Sequence, residues 1–202
     1  MNGSAKKRII HDALILTAFT LVLGFILGAV HEITKTRIEA AELAAEEAAY
    51  IAVFNDATAF AEAEASLEEI NQFLTDNGYK DTIKSVKIAK DASGETLGYV
   101  INVTANDGSQ SSITFSVGVR GDGTVNGYSI TDIAETPGLG SKAAEEAFFS
   151  QFANKLVDAF EVVKGDSEGD HQIEAITGAT ITSRAMVNGV NAAIVTFHEF
   201  LE

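Results

Sequence analysis

Cysteine is absent from the 202 residues of this chain, and proline occurs once, as Pro137. Without cysteine the chain alone cannot form disulfides, cysteine-ligated zinc sites, iron–sulfur clusters, a catalytic thiol or a lipid-modified N-terminal cysteine. Basic residues are also few, because 14 Lys and Arg stand against 29 Asp and Glu, for a net charge of −15. Nucleic-acid binding needs clustered basic residues, so no nucleic-acid partner is expected.

Side chains for metal or hydrolytic chemistry are sparse. The four histidines, His11, His31, His171 and His198, show no ligand spacing, so no metal site is predicted. No serine lies in a nucleophile-elbow sequence, which leaves a hydrolase without support.

One long apolar run lies near the N-terminus. Positions 13–30 carry no charge, and as a helix they would span about 27 Å, near the lower limit for crossing a bilayer. A cleaved signal peptide is the alternative, because Lys6, Lys7 and Arg8 precede the run. The run lacks the Ala-x-Ala pattern of a cleavage site, so we expect a retained transmembrane helix.

The basic residues beside this run predict its orientation. Three lie before it, at positions 6–8, and two lie after it, at positions 35 and 37. The positive-inside rule therefore places the N-terminus in the cytoplasm and the C-terminal domain outside the cell membrane.

The remaining periodicity predicts an α+β fold. Positions 32–54 are rich in Ala and Glu, which favours a helical stalk, and a second helix is predicted over 57–77 with Gly78 at its end. The expected division is a cytoplasmic N-terminus and transmembrane helix over 1–31, a helical stalk over 32–56, and an extracytoplasmic domain over 57–202.

Four short β-branched runs follow, separated by turn sequences, and they predict an antiparallel meander. The runs are 83–88, 97–104, 112–119 and 125–133. A Phe-rich helix capped by Ser141 and a last helix from about Ser183 to Phe200 are expected after them. The predicted architecture is thus an antiparallel sheet flanked by helices.

Two loops carry the functional signal. Residues 135–140 read Glu-Thr-Pro-Gly-Leu-Gly, in which Pro-Gly specifies a tight turn. Residues 177–183 read Thr-Gly-Ala-Thr-Ile-Thr-Ser and open the last helix. A helix start offers unpaired amides and a positive dipole end, which suit a phosphate. The hydroxyls there are also ordinary N-caps, a role expected of Thr182 or Ser183.

Together the two loops resemble those of the covalent FMN-binding domain. This domain is found in the G subunit of Rnf complexes and in the C subunit of Na⁺-translocating NADH:quinone reductase, and the short chain favours the Rnf protein. The resemblance implies a flavoprotein subunit of an ion-translocating ferredoxin:NAD⁺ oxidoreductase that relays single electrons. Its expected partners are the other Rnf subunits, the lipid bilayer and a flavin transferase.

The resemblance also implies the site residues, none of them catalytic. The transferase is expected to join FMN through its phosphate to Thr180. Glu174 stands where the transferase recognition motif usually has Asp, and Ile133 stands where many relatives have His. The remaining residues expected to bind the cofactor are Thr177, Gly178, Ala179, Thr182 and Ser183 around the phosphate, and Glu135, Thr136, Gly138, Leu139 and Gly140 along the isoalloxazine.

Two alternatives stay open at this point. The same domain would serve in the C subunit of the quinone reductase or in a related extracytoplasmic flavin relay. Because each loop residue also has a turn or cap explanation, the chain would otherwise be a membrane-tethered assembly or binding module without a redox cofactor.

Overall fold

The computed structural model describes residues 3–202, with side chains from Lys7 onward. Met1 and Asn2 lie outside this description. So does the side chain of Lys6, one of the basic residues used to predict the orientation. The helices are α1 (Gly3–Val53), α2 (Leu67–Asp76), α3 (Glu146–Phe149) and α4 (Thr180–Phe200). The strands are β1 (Ala59–Glu62), β2 (Thr82–Lys90), β3 (Thr96–Ala105), β4 (Ile113–Arg120), β5 (Val125–Asp132), β6 (Glu161–Val163) and β7 (Gln172–Glu174).

Helix α1 contains both the predicted transmembrane run and most of the predicted stalk. It is long and apolar enough to cross a membrane, and its large apolar side chains from Ile9 to Val30 are exposed. Such a surface is unfavourable in water and favourable in lipid, which fits a membrane-anchored protein. The chain forms two compact units, Met1–Ala44 and Ala45–Glu202, so the last turns of α1 belong to the second unit.

The second unit confirms the α+β prediction. Five antiparallel strands form one sheet in the order β1-β2-β3-β4-β5, and β6 pairs with β7 in a small parallel sheet. Strands β2 to β5 correspond to the predicted meander.

Hydrophobic side chains cover both faces of the sheet. Successive residues of a strand point to opposite faces, and in β3 Ile101 joins the larger cluster, with α2 and α4, while Val100 joins a smaller cluster with the end of α1. Helix α4 lies close to β4, because a Cβ on Gly189 would stand 2.6 Å from the Phe115 ring. The central strands are therefore buried on both faces.

The predicted helix over 57–77 is wrong in its first half. Residues Ala59–Glu62 instead form β1, which pairs with β2, and the Phe60 ring packs 5.4 Å from that of Tyr50. Helix α2 begins after Ser66, whose hydroxyl accepts a hydrogen bond from the Glu69 amide. Edge pairing and aromatic packing override the helix propensity of an alanine-rich segment.

The predicted Phe-rich helix is also wrong as a continuous element. It is split into a 3₁₀ turn (Gly140–Ala144), α3 and a second 3₁₀ turn (Ser150–Phe152). Ser141 does not cap it, because its hydroxyl accepts a hydrogen bond from the Gly138 amide. The short strands β6 and β7 have no counterpart in the prediction, since strands of three residues carry too little periodicity to detect.

A buried polar network fixes the end of α1 to the sheet. The Asn102 amide nitrogen donates to the Tyr50 hydroxyl at 2.8 Å and to the Ser85 hydroxyl at 2.6 Å. The Ser116 hydroxyl donates to the Asn102 amide oxygen at 2.6 Å. Burial raises the pKa of the Tyr50 phenol, although the bond from Asn102 opposes this rise. These bonds join α1 to three strands.

We expect Asn102→Ala to lower the free energy of unfolding by about 3 kcal/mol, because three hydrogen bonds of about 1 kcal/mol each are lost. Tyr50→Phe should cost about 1 kcal/mol. Tyr99→Phe is the control, since its hydroxyl makes no hydrogen bond within residues 7–202. Chemical denaturation of the full chain in mild detergent measures all three, and equal midpoints for the three variants would contradict the network's role.

Candidate functional site

Two tight turns of the same type form the centre of the site. In the first, the Leu139 amide donates to the Thr136 carbonyl at 3.1 Å, with Gly138 at φ 76°. In the second, the Ala179 amide donates to the Ile176 carbonyl at 2.9 Å, with Gly178 at φ 80°. A positive φ at the third position of a β-turn favours glycine, which explains why both motifs carry it there.

The structure brings the two turns together, although 38 positions separate Leu139 from residue 177. A Cβ on Gly178 would lie 3.2 Å from the Leu139 Cδ2 atom, so the leucine packs against the second turn. The outer part of Leu139 stays exposed, at 43%. The first turn therefore presents an apolar surface directly beside the second.

Glu135 ties this pair of turns to a third segment. Its carboxylate, 7% exposed, accepts hydrogen bonds from the Ser109 amide at 2.7 Å and the Gln110 amide at 3.1 Å. The other carboxylate oxygen accepts from the Thr182 hydroxyl at 3.2 Å. Gly140 leaves room for this arrangement, since a Cβ there would stand 2.5 Å from the Glu135 carboxylate. Glu135 thus links the β3–β4 turn to the first turn of α4 through hydrogen bonds to both.

The predicted caps of the last helix are wrong. Helix α4 begins at Thr180 rather than near Ser183, and the N-cap residue is Ala179, which has no side-chain oxygen. Thr182 and Ser183 are fully buried in the first turn of helix α4. The Ser183 hydroxyl accepts from the Ile176 amide at 2.9 Å and donates to the Ala179 carbonyl at 3.0 Å. Both hydroxyls therefore stabilise the turn from within.

Thr180 differs from these two neighbours. It is half-buried, and its hydroxyl makes no hydrogen bond within residues 7–202. The first amide that is hydrogen-bonded within the helix is that of Ser183, which donates to the Ala179 carbonyl. The amides that precede it in the first turn of α4 therefore remain available. The positive end of a 21-residue helix dipole lies at the same place. The hydroxyl and the free amides beside it are the groups that a phosphate ester would need.

Two basic residues near the turns escaped the sequence prediction. Arg184 follows Thr180 by four positions, which places both on one face of α4. Lys142 lines a cavity of about 170 Å³ together with Ile176 of the second turn. The four-residue spacing was visible in the sequence, whereas the approach of Lys142 depends on the fold.

Glu174, the predicted transferase-recognition residue, ends β7 and is exposed. Its carboxylate accepts from the Ser167 amide at 2.9 Å, and its own amide donates to the Gln151 side chain at 2.7 Å. A larger cavity of about 590 Å³ opens beside Lys155 and Asp170, but none of its lining residues belongs to either turn.

We expect Thr182→Val to lower the free energy of unfolding by about 2 kcal/mol, because a buried carboxylate loses one of its donors. Thr196→Val is the matched control, since Thr196 is equally buried in α4 and bonds only to the Ala192 carbonyl of its own helix. Thermal unfolding of the full chain in detergent compares them. Equal losses in both variants would contradict the role of Glu135 as the link.

Two protein families match the chain. The FMN-binding domain family matches residues 108–195, which contain both turns. The RnfG N-terminal region family matches residues 1–53, a range that contains α1.

Individual proteins show the same relationship. The G subunit of the proton-translocating ferredoxin:NAD(+) oxidoreductase complex of Clostridium ljungdahlii is 33% identical over 179 residues, which cover 89% of this chain and 86% of the relative. The G subunit of the Na(+)-translocating complex of Acetobacterium woodii is 39% identical over 105 residues, 51% of this chain and 50% of the relative. The crystal structure of Shewanella oneidensis NqrC is 28% identical, with a TM-score of 0.48 over 54% of each chain.

Of the two kinds of protein that the loops left open, the similarity over 89% of this chain selects the RnfG type. It extends through nearly all of the Clostridium ljungdahlii protein, and the N-terminal match covers the apolar helix as well. The chain therefore belongs to the RnfG family, the G subunits of ion-translocating ferredoxin:NAD(+) oxidoreductase complexes.

Proposed function

We propose that this chain is a membrane-anchored electron relay whose FMN is joined by a phosphoester to Thr180. The single observation that carries the proposal is the state of the hydroxyls at positions 180, 182 and 183, at the start of α4. The hydroxyls of Thr182 and Ser183 are buried and hydrogen-bonded. The Thr180 hydroxyl, at the start of α4, makes no hydrogen bond within residues 7–202.

The coarser part of this function follows from the family. An FMN-binding domain in an RnfG protein supports a flavoprotein subunit of an ion-translocating ferredoxin:NAD⁺ oxidoreductase. Membership of a multisubunit complex implies the other Rnf subunits as partners. The chain contains no cysteine for an iron–sulfur centre of its own, so these subunits would supply and accept its electrons.

The attachment step is a group transfer by a separate flavin transferase. With FAD as donor, the Thr180 oxygen would bond to the FMN phosphorus as the pyrophosphate P–O bond breaks, AMP would leave, and a base of the transferase would take the hydroxyl proton. The helix dipole favours the negative phosphodiester that results. Arg184, on the same face of α4, adds a positive charge beside it.

The residues of the first turn would orient the ring system. The bound FMN supplies one-electron redox chemistry, and the protein supplies its position and surroundings. Exposed Leu139 gives an apolar surface for one face of the isoalloxazine. Glu135 would position these residues without bonding to the flavin, because its carboxylate already accepts hydrogen bonds from two amides and from Thr182.

The proposed orientation places the N-terminus in the cytoplasm and residues 57–202 outside the membrane. The basic residues at 6–8 support it, since they exceed those directly after the apolar run. In this arrangement α1 anchors the chain in the bilayer, and the transferase acts on the extracytoplasmic side.

We expect Thr180→Val to abolish covalent flavin, because it removes the hydroxyl and keeps the side-chain shape. The full chain is co-expressed with a flavin transferase, and intact mass with in-gel flavin fluorescence measures the modified fraction. Thr180→Ser should retain modification, since it keeps a hydroxyl. Fragment masses should place FMN on residue 180 and not on Thr177, the other accessible hydroxyl of the turn. Covalent flavin in Thr180→Val would overturn the proposal.

Recognition by the transferase gives a second prediction. Glu174→Gln should reduce the modified fraction several-fold, because the expected motif carries a carboxylate there, and Glu174→Asp should retain it. Glu168→Gln is the control, since Glu168 is also exposed and its amide bonds to Gln172. Wild-type yields in Glu174→Gln would remove Glu174 from the recognition site.

A further inference from the structure

Two aspartates share a third cavity, which is polar and lies beside α4. The cavity holds about 300 Å³ and is lined by Asp81, Asp107, Tyr79 and Asn188, among others. Asp81 directly precedes β2, Asp107 lies in the β3–β4 turn, and Asn188 belongs to α4. Three segments that are distant in sequence therefore meet here.

Both aspartates keep one buried oxygen without a partner. Within residues 7–202, the Oδ1 atoms of Asp81 and Asp107 are buried and accept no hydrogen bond. Asp81 is only 5% exposed. The second oxygen of Asp107 accepts from the Asn188 amide at 3.0 Å. A buried carboxylate oxygen without a donor is strongly unfavourable unless a cation or a proton compensates it.

No ion pair within the described side chains compensates the two aspartates, although Lys80 lies at the cavity rim. Asn77, directly after the last turn of α2, also lines the cavity, and the negative end of the helix dipole lies there; that last turn contains no basic residue. The surroundings thus favour a cation.

We propose that Asp81 and Asp107 bind a hard divalent cation, Ca²⁺ or Mg²⁺, in this cavity. Carboxylate oxygens are the ligands that both ions prefer, and the volume leaves room for the waters that complete their coordination. The bound ion would brace the β3–β4 turn, whose amides two and three residues after Asp107 hold the Glu135 carboxylate.

The titration of Asp81 agrees with such a site. Burial, and then the charge of Asp107, raises the pKa of Asp81 to about 7, and Lys80 opposes this rise. Without a cation, the raised pKa means that stability falls as the pH rises from 3.8 toward about 7. A divalent ion competes with this proton, so its affinity should increase over the same range.

The test uses the full-length chain in non-ionic detergent, freed of metal with a chelator. Addition of CaCl₂ or MgCl₂ near neutral pH should raise the midpoint of thermal unfolding in a saturable way. The ion with the lower half-saturating concentration is then the ligand. NaCl at matched ionic strength is the control. An equal rise with NaCl, or no rise with either divalent ion, would overturn the site.

Variants distinguish a cation from a shared proton. Asp81→Asn and Asp107→Asn should abolish the rise, and Asp81→Asn should exceed the metal-free wild type in stability because it removes a buried charge. Asp158→Asn, at an exposed position, should keep the full rise. If Asp81→Asn is more stable but the wild type binds no divalent ion, the pair shares a proton and the proposal fails.

A luminescence measurement locates the ion. Tb³⁺ binds at Ca²⁺ and Mg²⁺ sites and is excited by a neighbouring tyrosine, and this chain contains no tryptophan. Tyr79 lines the cavity, so Tyr79→Phe should lose most of the sensitised emission while the thermal response to the preferred ion persists. Unchanged emission in Tyr79→Phe would place the ion elsewhere and overturn the assignment.

Discussion

A buried carboxylate must find hydrogen-bond donors, and at Glu135 this requirement organises the site. Two donors are amides of the β3–β4 turn and the third is the Thr182 hydroxyl of α4. Each comes from a segment that is distant from Glu135 in sequence. Because an unsatisfied buried charge costs several kcal/mol, the two glycine turns stay in contact only while all three segments are correctly placed. The apolar contact of Leu139 with Gly178 follows from this arrangement.

The same arrangement divides the hydroxyls in the first turn of α4 into two groups. Thr182 and Ser183 face the interior and bond to the protein, which leaves Thr180 at the helix start. Ala179 supplies no side chain to cap the helix, so the amides of the first turn are not used by a neighbouring oxygen. The proposed site for a phosphate ester thus depends on the absence of a side-chain cap as much as on the presence of a threonine.

Acidic residues outnumber basic ones in this chain, and the negative charge of its buried carboxylates is compensated in two different ways. Glu135 is compensated entirely by protein donors. Asp81 and Asp107 each keep one buried oxygen that has no donor among residues 7–202, and both line a common cavity. Both arrangements act on the same β3–β4 turn, since Asp107 lies two residues before Ser109. The position of this turn therefore depends on how negative charge is compensated on both of its sides.

Local pattern was enough to predict the apolar helix, the strands β2 to β5 and the two turns, because each depends on neighbouring residues. Pro137 and Gly138 specify a turn wherever they occur, and strand periodicity is local. The strand β1, the broken Phe-rich segment and the start of α4 at Thr180 were decided by tertiary contacts, such as Phe60 on Tyr50. Likewise, the sequence alone determined which residues carry hydroxyls and carboxylates. Only packing decided which hydroxyl and which carboxylate oxygens have no hydrogen-bond partner within residues 7–202, since burial and hydrogen bonding depend on segments far apart in the chain.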